Sequence, residues 1–152
     1  MPTEAAVILA AGKGTRMKSR VPKVLHRVCG KEMASLVVDT AKSAGLVPTV
    51  VVSPDFTAIA GVLGDTVEYA VQSEQLGTGH ALLHAREQVN GSANVVTLSG
   101  DVPLVRPETL KALADTHRQE RACITILTAD VDDPAERGRV VRDSSGAVRR
   151  IV

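Results

Sequence analysis

Aromatic residues are almost missing: there is no tryptophan, one tyrosine and one phenylalanine in 152 residues. A core must therefore be assembled from valine, leucine, isoleucine and alanine. The base-stacking platforms of single-strand nucleic-acid binders have no side chains to be built from. Cysteine is scarce as well. Cys29 and Cys123 stand far apart, with no Cys-x-x-Cys pair and no Cys/His cluster at zinc spacing. That leaves two buried thiols acting as small apolar residues as the expectation, rather than a disulfide or a metal site. Net charge is lacking too. Eighteen Lys+Arg against 17 Asp+Glu leave +1, so no global field marks a nucleic-acid or membrane-surface binder. The apolar run Ala5 to Leu9 is far too short for a signal-peptide core or a membrane span, and Thr3 and Glu4 precede it. The cytoplasm is the expected compartment, with neither nucleic acid nor a membrane as partner.

What is present is a recurrent alternation. Continuous apolar, β-branched runs occur at Ala5 to Leu9, Thr49 to Val52, Val67 to Val71, Asn94 to Leu98 and Ala122 to Leu127. Such runs suit strands buried on both faces of a parallel sheet. Between them lie helical stripes: Ala34, Val37, Val38 and Ala41 with Gly45 as a cap; Ala81, Ala85 and Val89; and Leu110, Leu113, Ala114 and His117 behind Pro107. A weaker helix is expected over Phe56 to Leu63. The pattern predicts an α/β domain over residues 1–152 with a mainly parallel sheet flanked by helices. Arg139 to Arg142, the turn Asp143-Ser144-Ser145-Gly146 and Ala147 to Val152 predict a C-terminal β-hairpin. The last residues read as a strand, so a longer parent protein is expected.

The segment LAAGKGTRM, Leu9 to Met17, directly follows the first apolar run. In an open α/β sheet ligands bind beyond the carboxyl ends of the strands. The third glycine of a dinucleotide fingerprint is replaced by Met17, and no GxxxxGK[ST] string occurs. A nucleotide loop with cations facing phosphates remains. Lys13, Arg16, Lys18, Arg20, Lys23 and Arg27 crowd this region. Lys18, Arg20 and Arg27 read as solvated loop charges. Arg16 lies inside the tight loop, and Lys23 follows the stiffening Pro22. A guanidinium clamps phosphate oxygens bidentately, while an ammonium acts as a point charge.

Two further stretches carry chemistry. LSGDVPL, Leu98 to Leu104, places Asp101 just past a strand, where a lone carboxylate could hold Mg²⁺ or cap a turn. QSEQLGTGHA, Gln72 to Ala81, sets Gly77, Thr78 and Gly79 before a helical stripe. Gln72 carries a donor and an acceptor on one amide, and uracil presents an N–H between two carbonyls. An ordinary helix entry with Thr78 as N-cap explains the same residues. His26, His84 and His117 have no partner visible in the sequence, and Glu74, Asp130, Asp132 and Asp133 read as solvated.

LAAGKGTRM with PKVL resembles the signature of sugar-phosphate nucleotidyltransferases. With QSEQLGTGHA and LSGDVPL, in that order, the chain is similar to bacterial N-acetylglucosamine-1-phosphate uridylyltransferases. These form the N-terminal part of enzymes that also acetylate glucosamine 1-phosphate. The resemblance implies a Rossmann-like nucleotide-diphospho-sugar transferase fold. It implies transfer of a uridylyl group from UTP to N-acetylglucosamine 1-phosphate, giving UDP-N-acetylglucosamine and pyrophosphate. It assigns catalysis to Arg16 and Lys23, and magnesium to Asp101. Nucleotide and substrate contacts fall to Leu9, Ala10, Ala11, Gly12, Lys23, Gln72, Gly77, Thr78, Ser99, Gly100, Asp101 and Gly138. The attacking phosphate oxygen is already anionic, so His80 is read as a structural helix residue rather than a base.

The family domain continues past Val152 with further sugar and magnesium ligands, and a left-handed β-helix domain builds its trimer. The 152 residues alone are therefore expected to be monomeric, to bind nucleotide weakly and to turn over poorly or not at all. Arg137 stands where an aromatic residue is common. The residues leave two alternatives open: a nucleotidyltransferase of the same fold for another sugar phosphate or base, and a non-catalytic nucleotide-binding module.

Overall fold

A computed structural model describes residues 4–12, 14, 17–133, 135 and 137–152. The chain divides into two compact units, residues 1–115 and 116–152.

The first unit is built on a four-stranded parallel sheet. Its strands are β1 (Ala5–Leu9), β4 (Val47–Val52), β5 (Glu68–Val71) and β6 (Val95–Ser99), in the order β5-β4-β1-β6. The chain leaves β1 toward β4 and β5, then returns to place β6 on the other side of β1. The sheet thus reverses direction between β1 and β6, and such switch points open a crevice at the carboxyl ends of the strands. A short antiparallel pair, β2 (Arg27–Val28) and β3 (Lys31–Glu32), precedes α1.

The helices follow the expected stripes. Helix α1 (Met33–Ser43) buries Ala34, Val37, Val38 and Ala41, and Gly45 closes its end, donating to the Lys42 carbonyl. Helix α2 (Thr57–Leu63) buries Ile59 and Leu63. Helix α4 (Pro107–Gln119) begins at its proline, as a missing N–H permits, and buries Leu110 and Ala114. Alternate residues of β1 feed two cores. Ala6 and Ile8 pack with α1, α2 and Leu110; Val7 packs with Ala81 and Ala85 on the opposite face. Phe56 and Tyr69, the two aromatics, lie ring to ring at 5.2 Å beside the first core.

Several expectations need correction. Strands β1 and β4 are buried on both faces, but β5 and β6 are edge strands with half their residues exposed. Helix α3 (Thr78–His84) ends before Val89, which sits in the turns that follow. Residue 77, not Thr78, precedes its first turn. Ala122 to Leu127 forms no strand. A strand exists only as part of a ladder, and no described residue pairs with this run, so Ile124 stays 77% exposed. Both cysteines are exposed free thiols rather than buried ones. Cys29 occupies the β2–β3 connection with φ +51°. Cys123 falls in the unpaired run, so neither is carried into the core.

The second unit contains the end of α4 and the expected hairpin, β7 (Val140–Arg142) with β8 (Val148–Ile151). Asp143 Oδ1 accepts from the amides of Ser145 and Ala147 and from the Ser145 hydroxyl, which fixes the turn. His117 Nδ1 lies 2.9 Å from Thr125 Oγ1, giving that histidine a partner the sequence did not show. Among the described residues no helix is long and apolar enough to cross a membrane.

Ile8 is fully buried at the centre of the sheet. Replacing Ile8 by Ala is expected to lower unfolding stability by about 2–5 kcal/mol, from lost burial plus the cavity left behind. Urea denaturation of the two proteins measures it, and a loss below about 1 kcal/mol would mean the sheet centre relaxes freely.

Candidate functional site

The ladder of β1 continues one step past its end, where the Ala10 amide donates to the Val51 carbonyl at 2.8 Å. Beyond it no described residue accepts from the amides of Ala11 and Gly12. Both residues line a cleft of about 540 Å³ at the carboxyl ends of β1, β5 and β6. Its wall carries Leu9, Ala10, Ala11 and Gly12 from the end of β1, then Lys23 from the next turn. Gln72, Gly77 and Thr78 come from the segment after β5, and Ser99 and Asp101 from the end of β6. These belong to three motifs separated by tens of residues in sequence, and the parallel sheet brings them to one edge.

Two close approaches hold the wall together. Gly14 has φ +57°, and a Cβ there would lie 2.8 Å from Lys23 Cβ, so only glycine lets the loop press on the root of that lysine. Gly100 donates its amide to the Leu9 carbonyl at 3.0 Å. A Cβ on it would come 3.0 Å from that oxygen and 3.1 Å from Val24 Cγ1. Gly100 thus draws the end of β6 against the end of β1 while lining little of the cleft itself. Pro22 has ψ 138°, the extended conformation expected of it, and Lys23 opens a short 3-10 turn.

Lys23 Nζ forms an ion pair with Asp101 Oδ2, the two side chains being 42% and 27% exposed. The Lys23 hydrogen bond holds the Asp101 carboxyl below the usual carboxylate range. It outweighs partial burial, with smaller help from the Lys23 charge, the Asp101 amide and the Ser99 hydroxyl. A pair this open contributes about 0–1 kcal/mol to folding. Its consequence is chemical: a lysine and a carboxylate stand together at the switch point. Among the described residues no group of three or more His, Cys, Asp and Glu side chains is placed to hold a metal.

On the opposite wall Gln72 is only 2% exposed. Its amide donates to Val52, and its side-chain Nε2 lies 3.0 Å from His80 Nδ1. The sequence reads His80 as a structural helix residue, and its contact with Gln72 eight residues earlier has no periodic signature. Gly14, Met17, Val24, Gln75 and Ala81 also line the cleft and were not singled out in advance. Arg16, with Lys13 and Thr15, lies outside the described residues. Lys18, Arg20 and Arg27 are exposed, and Arg27 pairs with Glu32. Gly138 belongs to the second unit, where a Cβ would meet Ile151 at 3.1 Å.

Residues 6–142 match the MobA-like NTP transferase domain. The chain belongs to that family. Among its relatives, the bifunctional protein GlmU of Clostridioides difficile is 45% identical over 148 residues, covering 97% of this chain and 32% of that protein. GlmU of Pelotomaculum thermopropionicum is 51% identical over 150 residues, covering 97% and 33%. The chain thus spans about a third of the length of the relatives it matches. A structure of Rv0371C from Mycobacterium tuberculosis in complex with manganese superposes with a TM-score of 0.64 at 23% identity, covering 77% of this chain and 60% of that one. It shares the fold. In this NTP transferase domain the ends of β1 and β6 form the described cleft.

The lowered Asp101 carboxyl has a definite pH consequence. The ion pair's contribution is present above the ordinary carboxylate range and is lost as pH falls through the depressed value. Replacing Lys23 by Met removes the main cause, so the Asp101 carboxyl should titrate at higher pH. Carboxyl-carbon NMR titration reads this, and an unmoved midpoint would mean the lysine is not what holds the carboxyl down.

Proposed function

We propose that the cleft transfers a uridylyl group from UTP to N-acetylglucosamine 1-phosphate, releasing pyrophosphate and forming UDP-N-acetylglucosamine. The observation that carries the reading is the pairing of Lys23 with Asp101 in an NTP transferase cleft whose far wall holds a buried amide, Gln72. Identity to GlmU over nearly the whole chain supports the uridine base and the amino-sugar phosphate.

Asp101 suits magnesium: it is an ionised, partly exposed oxygen donor, and Mg²⁺ takes few carboxylates and fills its shell with phosphate oxygens and water. Held there, the ion would neutralise phosphate charge. A protein of the same fold is known as a manganese complex.

The remaining work falls to the chain. A sugar-phosphate oxygen forms a bond to the α-phosphorus while the bond to the β-phosphate oxygen breaks, and pyrophosphate leaves opposite. The attacking oxygen is already anionic, so no side chain has to remove a proton. The barrier is the approach of two polyanions, which calls for alignment and fixed positive charge. Lys23, released from Asp101, offsets charge on the transferred phosphate as a mobile point charge. The amides of Ala11 and Gly12 face the nucleotide. Gln72, Gly77 and Thr78 form the base end, and Ser99 and Gly100 hold Asp101 in place. Arg16 is assigned the leaving pyrophosphate, and Gly138 the sugar, by family resemblance.

Replacing Asp101 by Ala in the full-length protein should reduce magnesium-dependent pyrophosphate release from UTP and the sugar phosphate by at least ~10², the scale for removing a preorganised charged group. Circular dichroism should stay native, because the exposed pair contributes little to folding. Wild-type rates in this variant would remove Asp101 from the reaction.

A further inference from the structure

We infer that His80 is a positioning residue that fixes which edge of the Gln72 amide meets the nucleobase, and so makes the cleft choose uracil over cytosine. The inference rests on the uridylyl-transfer reading of the cleft and assigns its base selectivity to a residue outside the reacting groups.

An amide has two nearly isosteric ends. Nε2 donates and Oε1 accepts, and rotation by half a turn exchanges them. Gln72 alone therefore carries no preference between two pyrimidines. Uracil offers N3–H as a donor, while cytosine offers N3 as an acceptor, so the choice depends on which end faces the ligand. In the structure Nε2 lies on His80 Nδ1 at 3.0 Å. We take Gln72 Nε2 as the donor to Nδ1 in this contact, which places the ring proton on the histidine's Nε2. Oε1 takes no hydrogen bond from any described residue, in a side chain that is 2% exposed and lines the cleft. An acceptor is thus presented, matching the uracil donor and opposing the cytosine acceptor.

The orientation is supported from both sides. The Gln72 backbone is tied to Val52 at 2.8 Å, so the root of the side chain is anchored to β4. The His80 ring meets His84 edge to face, with centroids 4.7 Å apart, one helical turn along α3. Turning the amide would set its oxygen against the Nδ1 lone pair, and the contact would be lost unless the ring changed tautomer. The tautomer of His80 and the choice of base are therefore one choice.

The test compares UTP and CTP binding, each with Mg²⁺, by calorimetry on the full-length protein. Wild type should favour UTP. His80→Leu removes the acceptor, and the UTP-to-CTP affinity ratio should fall by about tenfold or more, as expected where a site reads its ligand through hydrogen bonds. His80→Asn restores an acceptor, Oδ1, at the same bond distance from Cβ as Nδ1, and should retain the ratio within about threefold. An unchanged ratio in His80→Leu, or an equal loss in both variants, overturns the role of His80 while leaving the nucleotide cleft intact. A wild type that binds neither nucleotide overturns the transferase reading and this inference with it; one that binds both alike overturns this inference alone. Should His80→Leu fail to fold, ¹⁵N NMR of the labelled wild type reads the same arrangement. A scalar coupling across the hydrogen bond from Gln72 Nε2 to His80 Nδ1 is expected, and a proton on Nδ1 directed at Oε1 overturns the assignment.

Discussion

Burial of β1 on every side is the constraint from which the site follows. The strand is hydrogen-bonded to β4 on one edge and β6 on the other, and its alternate residues enter two separate cores. Ala5 to Ile8 are buried on both faces, so their side chains have to be apolar, while half-buried Leu9 reaches the cleft. Polar chemistry can begin only where the ladder ends. Among the described residues nothing accepts from the amides of Ala11 and Gly12, just past that ladder, and the strand order reverses beside them. The position of the cleft is thus a consequence of how the core is satisfied.

Small residues then decide how near the charges can come. Gly14 lets its loop lie against Lys23, and Gly100 lets the end of β6 lie against Leu9. Both contacts are at distances that a side chain would forbid, and together they bring Lys23 and Asp101 into one ion pair. The pair is too exposed to matter much for folding. Two opposite charges held together in an open cleft are instead readily separated, the carboxylate to a cation and the ammonium to a phosphate. Such a pair keeps both groups near their places without sealing either one.

Most of the framework was legible because it depends on local pattern. The stripe Ala34, Val37, Val38, Ala41 specified both α1 and its buried face, and Asp143 to Gly146 specified the hairpin turn. The three motifs could be placed at one sheet edge because each follows an apolar run, and runs of that kind end on the same side of a parallel sheet. What escaped depends on partners distant in sequence. The run Ala122 to Leu127 has strand composition, but composition does not supply a neighbouring strand, and the run stays unpaired among the described residues. Cys29 was assigned to the core by residue type alone, yet a two-strand connection with positive φ places it outside. His80 and Gln72 are joined by a loop whose path no periodicity encodes.

The cost of burying polar groups ties these observations together. Among the described residues only Thr49 and Gln72 are polar and buried. An amide removed from water without partners costs roughly 1–3 kcal/mol by mutational measures, so a fold retains one only where something offsets the loss. His80 satisfies one end of the Gln72 amide; the other end has no protein partner among the described residues. An apolar residue in that position would avoid this cost, so burial alone does not account for a glutamine there. A ligand that completes the second hydrogen bond does account for it. Among the described residues nothing accepts from the amides of Ala11 and Gly12 either. The cleft is the part of this sheet where hydrogen-bonding capacity is left over, and a nucleotide, with its polar base edge and its phosphates, is shaped to take up both remainders at once.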